Sequence, residues 1–241
     1  MPYFEEGDTS IYFEERGAGF PLLALAPGGM RSSIPFWPNA ALDPWESYQT
    51  DFRVIAMDQR NAGQSRGPLD AADPWGSYAS DQLGLLDHLG VDRCVVLGCC
   101  IGCSFVLKLI EVAPERISAA VLEQPIGVSE SNQELFGQLQ RSWAQEILGS
   151  REDLDAEATN RFLTSMWADD FVVSVGRQAV TSCPVPLFVL PGIDEYHPTE
   201  VGREVAALAP DARIFEPWKD TPEHVAAATV AARDFLIGHA G

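Results

Sequence analysis

Two kinds of hydrophobic pattern follow one another along the chain. Around Thr9 to Glu15, Ile11 and Phe13 alternate with Tyr12 and Glu14, the period of two of a half-buried strand. A Gly7-Asp8 turn would pair this segment antiparallel with Tyr3 to Glu5. The later candidates are nearly continuous apolar runs: Leu22 to Ala26, Phe52 to Met57, Arg93 to Leu97, Ile117 to Leu122 and Pro186 to Leu190. Such runs are expected of strands covered on both faces. Between them lie stretches of helical character. Tyr78 to Leu89 carries Leu83, Leu86 and Leu89 on one stripe, Gly102 to Ala113 follows the third long strand, and Thr199 to Leu208 follows the last. A final strand, Arg213 to Glu216, and a helix from Pro222 to Ile237, capped by Thr221, close the pattern. Alternating strands and helices predict the α/β class with a mostly parallel sheet and helices on both faces. Residues 127–180 interrupt the alternation with helix-prone sequence, Gln133 to Leu148 and Asp155 to Trp167. We read them as a small helical cap inserted before the next-to-last core strand, with 1–126 and 181–241 as the core of a single domain.

Charge narrows the range of partners. The 241 residues carry 16 Lys and Arg against 35 Asp and Glu, a formal net charge of −19, and Lys108 and Lys219 are the only lysines. A field of this sign repels phosphate, so nucleic acid and anionic membrane surfaces are not expected as partners. No apolar run approaches eighteen residues, and Met1 to Gly7, with Glu5 and Glu6, lacks the basic and apolar regions of a signal peptide; a cytoplasmic location is the expectation. Five cysteines, Cys94, Cys99, Cys100, Cys103 and Cys183, form an odd set with four of them inside ten residues, which suits reduced thiols better than a disulfide framework. The histidines, His88, His197, His224 and His239, do not fall at ligand spacing relative to these cysteines, so neither a metal site nor a cofactor is expected.

The segment Val95 to Ser104 holds the most specific chemistry. It is a buried strand running into Gly98-Cys99-Cys100-Ile101-Gly102, a Gly-x-Cys-x-Gly turn, and then a helix. A nucleophile on a strand-to-helix turn is strained and displayed at the top of the sheet, and small residues two before and two after let strand and helix approach. Cys94, Cys99, Cys103 and Cys183 are read as packing residues, with Cys99 facing the other side of the sheet.

With this elbow the chain resembles the α/β-hydrolase superfamily, over essentially its whole length. Met57-Asp58-Gln59-Arg60-Asn61-Ala62-Gly63-Gln64-Ser65 is similar to the Asp-x-Arg-Gly-x-Gly-x-Ser turn of these enzymes, with Asn61 where Gly is usual, and Ala26-Pro27-Gly28-Gly29 is similar to their His-Gly turn, with Pro27 in place of His. Cysteine in place of serine brings the elbow closer to dienelactone hydrolases, polyester synthases and certain thioesterases. The superfamily's order of nucleophile, acid and histidine implies Cys100, Asp194 in Gly192 to Pro198, and His224 in Pro222-Glu223-His224. In those roles His224 takes the thiol proton and Asp194 holds the imidazole's other nitrogen. Glu195 and Glu123, at the end of the preceding strand, stand as alternative acids. His197, three residues past the proposed acid, is open between a supporting position and the surface. The resemblance places the oxyanion donors at Ile101 and in the Gly28-Gly29-Met30 loop, Gly29 first and Met30 next. Asp58 and Arg60 read as turn stabilisers, and Trp37, Trp143 and Trp167 as aromatics at a pocket. The leading reading is a hydrolase that cleaves a small acyl substrate, an ester, thioester or lactone, through a thioester acyl-enzyme. Acyl transfer from the same intermediate, or a ligand-binding scaffold without turnover, are its alternatives.

Overall fold

The computed structural model describes residues 2–129, 132–168 and 171–241. Its strands are β1 (Tyr3–Glu6), β2 (Thr9–Arg16), β3 (Phe20–Leu25), β4 (Phe52–Met57), β5 (Cys94–Cys99), β6 (Ile117–Glu123), β7 (Leu187–Leu190) and β8 (Ala212–Ile214). They form one sheet in the order β1-β2-β4-β3-β5-β6-β7-β8. The hairpin β1–β2 pairs Tyr3 with Tyr12, and β2 lies antiparallel to β4; every later pairing is parallel.

The continuous apolar runs have the physical basis expected of them. Along β3, Leu23 and Leu25 enter one hydrophobic cluster while Leu22 and Ala24 enter another on the opposite face. The same alternation along β5 sends Cys94 and Val96 one way and Val95, Leu97 and Cys99 the other. Helices α1 (Pro44–Tyr48) and α8 (Pro222–Ile237) cover the second cluster, and α2 (Pro74–His88), α3 (Ile101–Val112) and α7 (Thr199–Leu208) the first. Between β6 and β7 the chain makes α4 (Gln133–Ser150), α5 (Ala156–Met166) and α6 (Arg177–Thr181). Among the described residues no helix is long and apolar enough to cross a membrane.

Several boundaries differ from the sequence expectation for local reasons. α2 begins four residues early because Asp73 caps it, accepting Gly76 N–H at 2.9 Å, with Pro74 fitting its first turn. α1 was not anticipated; Asp43 caps it through Trp45 N–H at 2.9 Å. The last strand ends at Ile214 rather than Glu216, shortly before Pro217, which has no N–H to continue a ladder.

The turns that carry candidate chemistry are held from below. Asp58, buried after β4, accepts Ile34 N–H and Gln64 N–H, each at 2.8 Å, and a Cβ on Gly63 would fall 2.1 Å from its Oδ2. Arg60 forks onto Asp81 with Nε–Oδ2 of 2.8 Å and Nη2–Oδ1 of 2.6 Å. Both residues therefore brace loops, as their places in the sequence suggest.

Candidate active site

The elbow follows from three residues. Cys100 joins β5 to α3 at φ 59° and ψ −121°, a left-handed conformation that costs on the order of 1–3 kcal/mol in a non-glycine residue. Its N–H is anchored on Glu123 O at 3.0 Å, and its own carbonyl accepts Cys103 N–H at 3.1 Å. A Cβ on Gly98 would meet Gly102 O at 2.5 Å, and one on Gly102 would meet Leu25 O at 2.1 Å. Both glycines are thus required by close backbone approach, and Cys100 is the one of the five cysteines that is not buried as a residue.

Cys100 opens into a cavity of about 200 Å³ whose wall includes Gly28, Gly29, Met30, Ile101, Ile126, Phe136, Leu139, Trp167 and His197. Larger grooves exist, including one of about 460 Å³ between α3 and the α6 region, but the thiol and the imidazole share only this smaller one among those described. Burial pushes the thiol up to about 11, against the pull of the Ile101, Gly28 and Gly29 backbone N–H groups. At neutral pH the sulfur therefore holds its proton and needs a base. The same three N–H groups face the Cys100 sulfur, Ile101 from the first residue of α3 and Gly28 and Gly29 from the loop after β3. Met30 is buried in the wall beside them.

The imidazole that shares the Cys100 cavity is His197, and not His224, where the chain order of the resemblance puts the histidine. His197 Nδ1 lies 2.7 Å from Asp194 Oδ1, while its backbone N–H reaches the same oxygen at 3.1 Å. A Cβ on Gly192 would lie 2.1 Å from His197 Cβ, so the loop closes on itself only because Gly192 has no side chain. His224 instead falls in the first turn of α8, where Thr221 Oγ1 accepts its N–H at 3.2 Å and the nearest carboxylate to its Nδ1 is Asp220, at 4.0 Å. Helix capping fixes it there, and it takes no part in the wall of the Cys100 cavity.

Burial lowers the His197 pKa below its ordinary value, with Asp194 opposing and Lys219 reinforcing the shift. For Asp194, burial acts upward, but His197 and Lys219 outweigh it and hold the carboxyl below its usual range. At neutral pH the pair is a carboxylate and a neutral imidazole. Nδ1–H donates to Asp194, which leaves Nε2 with a free lone pair. That Nε2 is buried and has no hydrogen-bond partner among the described residues.

The other predicted residues separate cleanly. Glu195 is exposed and contributes its carbonyl, which accepts Asn132 Nδ2 at 2.9 Å. Glu123 is fully buried; its Oε1 accepts Ala41 N–H at 3.1 Å and Leu42 N–H at 3.4 Å, and burial raises its pKa to about 7. It braces a loop and does not touch an imidazole. Trp167 lines the cavity and stacks on Phe136, at 5.2 Å between ring centroids. Trp143 packs on Phe162 and borders the adjoining cleft that contains Arg31, Asn61 and Arg151. Trp37 is buried on the opposite face of the sheet with Trp45 and Tyr48, and is corrected from pocket residue to core. The sequence reading missed His197 as the imidazole, Lys219 beside Asp194, and Phe136, Leu139 and Tyr196 at the cavity.

An α/β sheet with a strained cysteine at a strand-to-helix turn, and a carboxylate–histidine pair after a later strand, has the arrangement of the hydrolase-like class of this fold. The chain belongs to the alpha/beta hydrolase fold family, which it matches over residues 21–189. Among curated relatives it is 34% identical over 115 residues to a 2-hydroxymuconate semialdehyde hydrolase of Pseudomonas putida, covering 48% of this chain and 40% of that protein. It is 29% identical over 105 residues to carboxylesterase YbfK of Bacillus subtilis, covering 44% and 34%. These alignments span less than half the length of either relative. The enol-lactonase of Burkholderia xenovorans LB400 shares the fold, with a TM-score of 0.68 at 20% identity over 98% of this chain and 100% of that one.

Proposed function

We propose that this chain is a hydrolase that cleaves a small ester, thioester or lactone through Cys100, His197 and Asp194. The observation that carries the reading is that Cys100 and the Asp194-anchored His197 share one small cavity, with Nε2 free to accept a proton. His197 Nε2 takes the thiol proton as Sγ attacks the carbonyl carbon. The oxyanion gathers at the N–H groups of Ile101, Gly29 and Gly28, each such donor being worth about 3 kcal/mol. His197 then protonates the departing alcohol or thiol, leaving a thioester on Cys100. Water, deprotonated by the same nitrogen, attacks that thioester and restores the thiol. Asp194 fixes the productive tautomer and stabilises the imidazolium in both halves.

A thiol held up to about 11 makes this a general-base mechanism acting on a neutral nucleophile, closer to a serine hydrolase than to a preformed thiolate–imidazolium pair. The mostly apolar wall, with Ile126, Phe136, Leu139 and Trp167, suits a short acyl chain or a small ring, which is consistent with relatives named as a carboxylesterase and an enol-lactonase. Intact-protein mass spectrometry after exposure to short p-nitrophenyl esters, acyl thioesters and lactones tests the proposal. An acyl mass increment on the Cys100 peptide, with product released in excess of enzyme, is the expected result. Turnover with no increment at Cys100 under rapid quench, or an increment on another residue, overturns it.

A further inference from the structure

The loop between β8 and α8 brings a lysine, not a histidine, to Asp194. Lys219 Nζ lies 2.5 Å from Gln124 Oε1 and 3.7 Å from Asp194 Oδ2, and the lysine side chain is only 17% exposed. Asp194 thus divides its two oxygens, Oδ1 to His197 and Oδ2 toward Lys219. The lysine's place is built from two further elements. Trp218, its neighbour in sequence, donates Nε1–H to Pro191 O at the end of β7, at 2.6 Å. Gln124, at the end of β6, donates its N–H to Leu190 O at 2.7 Å in a left-handed conformation, φ 45°.

We propose that Lys219 is a positioning residue for the imidazole, holding Asp194 ionised by its second oxygen and keeping His197 Nε2 unprotonated at neutral pH. This rests on the hydrolase reading only in that His197 is its base. A cation next to the carboxylate weakens the pull of Asp194 on an imidazolium and repels the imidazolium directly, so both effects favour the neutral ring. The charged and titratable groups facing His197 among the described residues are Asp194 and Tyr196 from its own loop, the Tyr196 ring 6.1 Å from the imidazole between centroids, Lys219, Cys100 from the elbow and Arg31 across the cavity. Arg31 is already engaged by Glu146, at 2.6 Å. Lys219 also faces Glu123 from β6 and shares its groove with Arg203, Glu216 and Asp220. Arg203 and Glu216 are paired with each other at 3.1 Å, which leaves Lys219 as the cation that acts on Asp194.

The test compares Lys219→Met, Lys219→Gln and Lys219→Arg. His197 is titrated by NMR of its ring proton, assigned by its loss in His197→Asn, alongside the pH profile of kcat/KM on a short p-nitrophenyl ester. In Lys219→Met and Lys219→Gln the His197 pKa is expected to rise by about 1 unit, while Lys219→Arg keeps the parent value. The acid limb of kcat/KM moves with it, a loss of about tenfold well below the pKa and under about threefold on the plateau. Lys219→Gln retains a polar group beside Gln124, so it reads the charge even where Lys219→Met perturbs the loop. A His197 titration unchanged in a folded Lys219→Gln overturns the proposal. The same shift in a protein that hydrolyses none of the esters, thioesters or lactones sustains the role of Lys219 and removes the hydrolase reading alone.

Discussion

Asp194 and His197 form an acid–imidazole pair within a single turn, three residues apart, with 2.7 Å between Oδ1 and Nδ1. The carboxylate also accepts the backbone N–H of Tyr196 at 3.0 Å and of His197 at 3.1 Å, so it fixes the loop and the ring together. An imidazole supplied by the same loop as the acid needs no contribution from the segment after the last strand. That segment is free to present Lys219 instead.

This geometry separates two histidines by experiment. His197→Ala removes the imidazole that shares the Cys100 cavity and, on the proposed mechanism, is expected to lower kcat by at least about 10³, roughly 4 kcal/mol. His224→Ala alters only the first turn of α8, where the side chain is 40% exposed, and is expected to change kcat by less than about threefold. Steady-state rates on one ester, with circular dichroism to verify folding, decide between them. A crippled His224→Ala beside an active His197→Ala reverses the assignment.

Cys100 is expected to be indispensable and replaceable in shape. Cys100→Ala leaves the elbow hydrogen bond to Glu123 O in place, because that bond comes from the backbone, and should abolish turnover without unfolding the chain. Iodoacetamide is expected to label Cys100 first, since Cys94, Cys99, Cys103 and Cys183 are buried. The labelling rate should climb throughout the alkaline range toward the raised pKa of about 11 rather than level off near neutrality. Peptide mapping at pH 7 and pH 9 measures both features, and preferential modification of Cys103 would contradict the elbow geometry.

The parts of this site that are legible in the sequence are the parts made by neighbouring residues. Gly98, Cys100 and Gly102 are a strand, a turn and a helix start in one contiguous stretch, and their steric requirement can be stated before any fold is known. The parallel strands were equally plain, because burial on both faces writes itself as an unbroken apolar run. His197 is not, because its place depends on how the loop from Gly192 folds back on itself, and the superfamily's chain order puts the histidine after the last strand. The usable signal was local: a glycine two residues before the acid and an imidazole three residues after it. Trp37 was misplaced for a related reason. Aromatic content does not reveal which face of the sheet a side chain joins, and Trp37 joins the face opposite the elbow's cavity.

Asp194 is expected to dominate over Glu195. Asp194→Asn keeps an oxygen for the loop amides but permits the wrong imidazole tautomer and leaves the imidazolium unsupported. In serine triads that change costs about 10⁴ in rate, so kcat is expected to fall by about 10² to 10⁴ here. Glu195→Gln, on an exposed side chain, is expected to cost less than about threefold. Rates for the two variants at the plateau pH check the ranking, and a mild Asp194→Asn would displace Asp194 from the site.

Glu123 gives a prediction about stability rather than rate. Its carboxyl is fully buried beneath the elbow, and burial raises its pKa from 4.5 to about 7 despite the Leu42 N–H, the Cys99 thiol and the Ala41 N–H. Below about pH 4.5 the carboxyl is protonated in both folded and unfolded chains, and it contributes no pH dependence. Between about pH 4.5 and 7 the unfolded chain ionises while the folded one still holds the proton, so stability declines as pH rises through that window. The decline amounts to about 3 kcal/mol and is complete once the folded carboxyl also ionises. Glu123→Gln retains an acceptor for Ala41 and Leu42 N–H and does not titrate. Urea unfolding of both proteins from pH 4.5 to 8 should show the variant gaining about 3 kcal/mol on the parent over the range. Parallel stability curves would mean that Glu123 is ionised in the folded protein throughout, with Lys219, which faces it, as its counter-charge.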